Sequence, residues 1–119
     1  KIMHTGDSMP LVRDNVLMAD AILAMTAKAF GCVGVTNDQN QLLGIVTDGD
    51  LRRHMANDLL LRDVCDVMTV SPKIIHPTAL VAEALWIMNE GSITSLFVTE
   101  DDKPKGIIHV HDCLRSEVA

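Results

Sequence analysis

Apolar residues recur with two different spacings along the first half of the chain, and the alternation between them predicts its elements. Within 16–29 a stripe of apolar side chains recurs at the spacing of a buried helix face: Leu17, Met18, Ala21, Ile22 and Met25. Two short apolar runs, 32–36 and 42–47, flank the polar turn 37–40 and predict a β-hairpin. A second helix is expected from Asp50 to about Ala56.

The second half repeats this order of spacings. A helix is predicted whose buried face carries Leu80, Ala84, Leu85 and Met88, and Gly91 is expected to end it. The remaining predicted elements are a short strand at 73–76, hairpin strands at 95–99 and 105–110 joined by the turn 101–104, and a closing helix from Asp112 to about Glu117.

Individual residues recur as well, so the chain contains an internal repeat. Gly44 and Asp50 return 62 positions later as Gly106 and Asp112. Each half has the order β-α-β-β-α, which predicts an α+β fold of two tandem repeats. We place the first repeat at 1–57, a connector at 58–65 and the second repeat at 66–119, and we expect the two repeats to pack as an intramolecular pseudo-two-fold pair.

Composition and charge narrow the classes of function. The formal charge of −6 and the aromatic content of 3% argue against nucleic acid, which binds basic faces and stacking rings. No apolar run has the length of a membrane span, and no stretch resembles a signal peptide, so we expect no membrane partner. The three cysteines lack C-x-x-C spacing and fit a reducing cytoplasm.

Length sets two further expectations. The chain of 119 residues amounts to one domain, and a half of about 60 residues would be marginally stable alone. We therefore expect the two halves to share a core. Because the chain opens at Lys1 without an initiator methionine, we also expect it to be a fragment of a longer protein.

The stretch 44–53 carries the first candidate chemistry. It predicts a buried strand, a polar turn and a helix whose opening N–H groups favour an anion. Thr47 adds a hydroxyl that can donate to a phosphate, and Asp50 adds a carboxylate that can accept two hydrogen bonds from a ribose diol. The alternative is that Asp48 or Asp50 merely caps the helix.

The order of elements and the ending of each half resemble a known family. A doubled β-α-β-β-α unit that ends in Gly-apolar-apolar-Thr-x-x-Asp-Leu-x-Arg resembles a tandem pair of cystathionine-β-synthase (CBS) domains, and the segment 66–69 is similar to the usual opening of such a domain. The segments 3–7, 47–53, 93–95 and 109–112 more narrowly resemble the C-terminal regulatory pair of bacterial D-arabinose 5-phosphate isomerases. The resemblance covers the whole chain.

The resemblance implies the residues of two ligand sites. In CBS domains the Asp of this motif typically holds ribose hydroxyls and the Thr three positions earlier holds a phosphate, which implies Asp50 and Thr47 in the first site and Asp112 in the second. His109 stands where the second Thr is expected, and a protonated imidazole would favour phosphate near a pKa of about 6.5. Backbone just before the second strand of each half completes the implied sites: Gly31, Cys32, Thr94 and Ser95.

The resemblance also implies what the chain regulates. Catalysis in these enzymes belongs to an N-terminal sugar-isomerase domain that is absent from this chain, so the chain itself is expected to be non-catalytic and to require no cofactor. The longer protein of which this chain would be a part, here called the parent, would interconvert ribulose 5-phosphate and arabinose 5-phosphate on the route to the Kdo of lipopolysaccharide. The implied effector is an adenine nucleotide or CMP-Kdo, the activated product of that route.

An assembly and a competing function follow from the same resemblance. CBS pairs commonly dimerise through their helices, so a cytoplasmic homodimer is expected, within a parent of higher oligomeric state. The residues expected near the dimer surface are Leu51, Met55, Cys113 and Leu114. The alternative function is a structural oligomerisation module whose ligand clefts are vestigial.

Two other patterns carry weaker chemistry. His109, His111 and Asp112 have the donor types of zinc ligands, but Asp112 opens a helix and no further ligand lies nearby in sequence, so no metal site is expected. Three arginines one turn into the helices are expected to be solvated or ion-paired with Asp48 and Glu117: Arg52, Arg53 and Arg115.

Overall fold

The fold is known from a computed structural model that describes residues 3–28 and 30–118, with the backbone alone for 116–118. The predicted helix end at Ala29 and the side chain of Glu117 therefore lie outside the described residues. The chain divides into two compact units, one spanning Pro10–Pro72 and the other lying within Lys1–Met9 and Lys73–Ala119. Each unit combines a sheet with helices, so the predicted α+β class is confirmed.

The unit Pro10–Pro72 builds a four-stranded sheet around the first predicted hairpin. Its elements are β1 (Leu11–Arg13), α1 (Met18–Lys28), β2 (Cys32–Thr36), β3 (Leu42–Thr47), α2 (Asp48–Arg53), α3 (Val64–Val67) and β4 (Thr69–Val70), with a 3-10 turn at Leu59–Leu61. The sheet has the order β1-β2-β3-β4, in which β1 and β2 are parallel and the other neighbours antiparallel. The order of the first repeat, β-α-β-β-α, is therefore confirmed.

The first core lies between α1 and this sheet. Met18, Ala21 and Met25 are buried as the helical spacing predicted, whereas Leu17 is exposed because it pairs with Asp63 in an isolated β-bridge ahead of the helix. Burying a methionine side chain stabilises a fold by about 1.5–3 kcal/mol, so this stripe holds the helix on the sheet. Of the three leucines in the connector, Leu59 joins this core and the other two are exposed.

The second unit has a three-stranded sheet with the same connectivity. Its elements are β5 (Ile74–Ile75), α4 (Val81–Gly91), β6 (Ser95–Glu100), β7 (Lys103–His109) and α5 (Val110–Val118), with a 3-10 turn at Gly6–Ser8. β5 and β6 are parallel, and β6 and β7 are antiparallel. Asp101 and Asp102 form the hairpin turn with φ of 54° and 65°, the positive values that two-residue type I′ turns require.

Helix α4 ends at Gly91 as predicted, but its buried face differs from the prediction at its N-terminal end. Leu80 is 74% exposed because it is the N-cap residue of the helix, whereas Ala84 and Met88 are buried as predicted and Leu85 is partly buried. Gly91 is the last helical residue, and Ser92 adopts the left-handed conformation that ends the helix. A Cβ on Gly91 would lie 2.9 Å from Cδ of Lys73, so this glycine makes room for the lysine stem.

Buried apolar residues group into two clusters among the described residues, one in each unit, so the prediction of one shared core is wrong. Cys113 is fully buried in the second cluster, so its side chain forms no part of an exposed surface, and the dimer itself stays a prediction. Leu51 packs partly against the first cluster, whereas Met55 and Leu114 are exposed. In residues 3–28 and 30–118, no helix combines the length and apolar character that crossing a bilayer requires.

The segments that open the two repeats, residues 3–9 and 66–72, are here called the lead-in segments. β4 of one lead-in pairs with β3, and His4 of the other forms a β-bridge with Ile107 on β7. A Cβ on Gly44 would lie 2.6 Å from the Thr69 carbonyl oxygen, and a Cβ on Gly106 would lie 2.6 Å from Sδ of Met3. The repeated glycine therefore admits a lead-in segment at the same place in each unit.

Candidate functional site

The first candidate turn lies where β3 passes into α2. Cys32 is the register partner of Thr47 across the β2–β3 ladder, and a Cβ on Gly31 would lie 4.0 Å from Oδ2 of Asp48. Gly31 has φ of +77°, a left-handed conformation that glycine adopts at little cost. The structure therefore brings Gly31 and Cys32 to the same end of the hairpin as Thr47 and Asp50.

Thr47 and Asp50 form a reciprocal capping box at the start of α2. The Asp50 N–H donates to Oγ1 of Thr47 at 3.3 Å, and the Thr47 N–H donates to Oδ2 of Asp50 at 2.9 Å. Thr47 is thus the N-cap, and the expectation that Asp48 or Asp50 caps the helix holds only in that the Asp50 side chain completes the capping box. A ligand role for these two side chains stays a prediction.

The Asp50 carboxylate is 1% exposed and is held by more donors than a cap requires. The Thr69 hydroxyl donates to its Oδ1 at 2.7 Å, and Arg53 forms an ion pair with the same oxygen. Burial raises the pKa of Asp50, but hydrogen bonds from Thr69, the Thr47 N–H and Arg53 outweigh it, so the net pKa is lowered. Asp50 is therefore a buried, ionised carboxylate at neutral pH.

The second candidate turn lies where β7 passes into α5. Ser95 is the register partner of His109, and the Val110 N–H donates to the Thr94 carbonyl at 2.8 Å. The His109 N–H donates to Oδ2 of Asp112 at 3.2 Å. The four residues implied for the second site are thus also brought together: Thr94, Ser95, His109 and Asp112.

Asp112 is held by a residue that the sequence reasoning missed. Nε2 of His4 lies 2.9 Å from Oδ2 of Asp112, and Arg115 forms an ion pair with Oδ1. Burial raises the pKa of Asp112, but the hydrogen bonds from His4 and the His109 N–H, together with the charges of His4 and Arg115, lower it overall. His4 occupies the place that Thr69 occupies beside Asp50.

The imidazole of His109 acts as a hydrogen-bond acceptor in this turn. The His111 N–H donates to its Nδ1 at 3.1 Å, so Nδ1 carries a lone pair and the ring is neutral. The two rings stack with centroids 4.7 Å apart. Burial, and then the neighbouring His111, lower the pKa of His109. The charge of Asp112 opposes this shift, and the charges of Arg115 and His4 add to it. The expected protonation of His109 therefore begins below its ordinary value of 6.5.

Replacing His109 by threonine is expected to make folding stability less dependent on pH between about 7 and about 5. Because the fold lowers the pKa of His109, the unfolded chain takes up the proton first. The stability that the neutral His109 ring contributes is complete above pH 6.5, and it is lost as the pH falls through the lowered pKa of the folded state. Urea unfolding at both pH values measures the slope, and equal slopes in wild type and His109→Thr would contradict this assignment.

Arg53 and Arg115 each pair with the aspartate three positions earlier. Arg53 therefore pairs with Asp50 and not with the expected Asp48, because a residue three positions earlier lies on the same helix face.

The thiol of Cys32 stays protonated. Burial, and then the charge of Asp48, raise the pKa of Cys32 to about 12. Among the described residues, no group of three or more His, Cys, Asp or Glu side chains is placed to hold a metal ion.

An apolar cavity of about 290 Å³ lies in the second unit. It is lined in part by Met3 of the lead-in segment, Ala84 of α4, Val98 of β6 and Ile108 of β7. Ligand pockets are typically apolar and start at roughly this volume. No pattern in the sequence predicted this cavity, because its lining comes from elements far apart in the chain.

The two turns and their repeated setting define the class of protein. The CBS domain family matches residues 1–57 and 64–119, and the chain belongs to this family. Among its curated relatives is the arabinose 5-phosphate isomerase KdsD of Escherichia coli (strain K12), with 40% identity over 119 residues. That match covers 98% of this chain and 36% of the relative, so the chain spans about a third of the length of the curated relatives it matches.

Solved structures show the same fold. CBSX2 in complex with AMP superposes with a TM-score of 0.83 at 22% identity, covering 98% of this chain and 92% of that chain. The CBS domain of the bacterial CNNM/CorC family Mg²⁺ transporter in complex with ATP has a TM-score of 0.77 at 18% identity, covering 98% and 84%. The tandem CBS fold and the resemblance to arabinose 5-phosphate isomerase are thus confirmed.

Proposed function

We propose that this chain is the regulatory module of a sugar-phosphate isomerase and binds an adenine nucleotide or CMP-Kdo at its two turns. One observation carries the proposal. In each unit, the backbone at the start of the second strand, a hydrogen-bonding side chain and an ionised carboxylate lie together at one turn. A nucleotide offers the complementary groups, since its ribose hydroxyls donate to carboxylates and its phosphate accepts from N–H and hydroxyl groups. The nucleotides in CBSX2 and in the transporter domain support this choice of ligand class.

The proposal extends to the parent protein and its setting. The 40% identity to an arabinose 5-phosphate isomerase supports an attached domain that interconverts arabinose 5-phosphate and ribulose 5-phosphate. In this proposal the module regulates that domain in the cytoplasm. We further propose a homodimer of this chain, with the exposed Met55 and Leu114 near the shared surface. In this scheme the module needs no cofactor and performs no catalysis.

Binding at the first turn requires a rearrangement of the donors around Asp50. Its two oxygens already accept from Thr47, Thr69 and Arg53. The Arg53 side chain is 62% exposed whereas the Asp50 side chain is 2% exposed, so Arg53 can turn to water while the carboxylate keeps its hydrogen bonds from Thr47 and Thr69. A ribose hydroxyl would then take the place of Arg53 on Oδ1 of Asp50.

The same saturation of hydrogen bonds favours a second candidate function. Asp50 and Asp112 are buried and accept hydrogen bonds from this chain, as purely structural carboxylates do. A scaffold that holds subunits together, with vestigial clefts, would need nothing more from them. The two candidates differ in one property, the binding of a small molecule.

A thermal-shift screen with AMP, ATP, CMP and CMP-Kdo separates the two functions. An effector module gains about 2.7 kcal/mol of stability when free ligand is a hundredfold above its dissociation constant, because the ligand binds the folded state alone. A scaffold gains none. Asp38→Asn is the matched control, since Asp38 is exposed and lies in the turn at the opposite end of the β2–β3 hairpin. A shift in wild type and in Asp38→Asn supports the proposal, and no shift with any of the four compounds contradicts it.

A further inference from the structure

The two lead-in segments dock on their sheets in the same way. Met68 lies against Gly44, and Met3 lies against Gly106. The residue after each methionine, Thr69 or His4, then reaches the carboxylate of the adjacent turn. Each candidate ligand turn is thus joined directly to one lead-in segment through its aspartate.

The two junctions differ in chemistry. The hydroxyl of Thr69 donates to Asp50 at 2.7 Å, and Nε2 of His4 lies 2.9 Å from Oδ2 of Asp112. A threonine hydroxyl keeps its proton at every physiological pH, whereas histidine changes its charge between about pH 5 and 8. The junction at the second turn is therefore the one that responds to protons.

The lead-in segment 3–9 is held at its first two described residues. Residues 5–8 are exposed, and Met3 and His4 are partly buried. The His4 N–H donates to the Ile107 carbonyl at 2.8 Å, and the Ile107 N–H donates back at 2.9 Å. Met3 lines the apolar cavity of this unit. The side chain of His4 adds its hydrogen bond to Asp112 to these contacts.

Oδ2 of Asp112 has no lone pair left for another donor. A carboxylate oxygen offers two acceptor sites, and Oδ2 accepts from both Nε2 of His4 and the His109 N–H. The second donor is a backbone group at the start of α5, which the turn itself holds in place. A ligand hydroxyl that binds Oδ2 therefore displaces His4.

We propose that the pair of His4 and Asp112 is a latch that ties the lead-in segment 3–9 to the second ligand turn. Protonation of His4 tightens the latch, and a ligand hydroxyl that takes Oδ2 of Asp112 releases it, whereas a hydroxyl on Oδ1 would displace Arg115 instead. The release by ligand rests on the proposed function, whereas the response to protons does not. Through this latch, occupancy of Oδ2 is transmitted to the segment that opens the first repeat.

Two charged groups meet at this junction. Oδ2 of Asp112 lies 2.9 Å from Nε2 of His4, and Arg115 pairs with Oδ1 of the same carboxylate, while His109 contributes its backbone N–H to Oδ2. A hydrogen bond between a charged imidazole and a carboxylate is charge-assisted and roughly twice as strong as a neutral one. The latch therefore tightens as the pH falls, until Asp112 itself takes up a proton.

Hydrogen exchange at the Ile107 amide measures the latch in the protein without ligand, because this N–H donates to His4. After correction for intrinsic rates, protection is expected to rise roughly fivefold between about pH 7.5 and about pH 6. His4→Ala should exchange roughly five- to tenfold faster at the lower pH. His4→Thr, which copies Thr69, should keep protection but lose the pH dependence. The Val110 amide, bonded to Thr94, is the internal control.

The same measurement with saturating AMP tests release by ligand. Faster exchange at Ile107 with an unchanged Gly34 amide, which donates to the Pro10 carbonyl in the other unit, supports it. Unchanged Ile107 protection while AMP raises the melting temperature overturns it. Equal protection in wild type and His4→Ala at both pH values overturns the latch itself. A pH response without any binding of AMP upholds the proton-sensitive latch and counts against the proposed function alone.

Discussion

Replacing Asp50 by alanine is expected to destabilise the protein by about 2–3 kcal/mol, because the change removes a buried acceptor that several donors of the chain share. The Thr47 N–H and the Thr69 hydroxyl both donate to this carboxylate. A lost helix cap alone would cost about 1 kcal/mol, so the structure raises the cost above that of a cap. Urea unfolding followed by circular dichroism measures the difference.

Asp48→Ala is the control for this experiment. Asp48 stands in the same first helical turn but is exposed, so its removal is expected to change stability by less than about 0.5 kcal/mol. Equal losses in the two variants would show that Asp50 acts as a surface charge. For ligand binding, Asp50→Ala is expected to lose about 2–4 kcal/mol by calorimetry, provided that the variant is folded, because a charged acceptor of two hydroxyls is gone.

Gly44→Ala is expected to destabilise the protein by about 2–3 kcal/mol, since the new methyl group overpacks a buried contact. The Cβ would lie 2.6 Å from the Thr69 carbonyl oxygen, a backbone atom that moves only if β4 moves. That movement would also carry the Thr69 hydroxyl away from Asp50. Thermal unfolding of the variant measures the loss.

Two other glycines calibrate this result. At Gly106 the nearest atoms belong to the flexible side chain of Met3, so Gly106→Ala is expected to cost less, about 1 kcal/mol. At Gly49, inside α2, the nearest atom is an Arg53 side-chain nitrogen at 3.2 Å, and alanine favours a helix by about 1 kcal/mol over glycine. A Gly44→Ala variant as stable as Gly49→Ala would refute the close approach of β4.

The internal repeat predicted most of the fold, because the residues that recur are those that each unit needs for its own close contacts and helix starts. Gly44 and Gly106 recur because each admits a lead-in segment, and Asp50 and Asp112 recur because each closes the first turn of a helix. The hairpins were predictable from apolar runs and turn residues for the same reason. These signals lie within a few positions of one another along the chain.

The partners of the two carboxylates were not predictable in this way. Thr69 lies 19 positions from Asp50, and His4 lies 108 positions from Asp112. The lead-in residues Met3 and Met68 are also spaced 65 positions apart, which differs from the spacing of 62 that relates the aspartates. The N-cap was ambiguous for another reason, since Thr47 and Asp48 are both good capping residues and the backbone path decides between them.

The docking of the lead-in segments has a consequence for gene duplication. A single copy cut at 1–57 would carry Asp50 but lack Thr69, and a copy cut at 66–119 would carry Asp112 but lack His4. Each copy would then bury a carboxylate with one partner fewer. An ancestral single-repeat protein could have supplied that partner from a second identical chain, and fusion of two genes would have made the exchange permanent within one polypeptide.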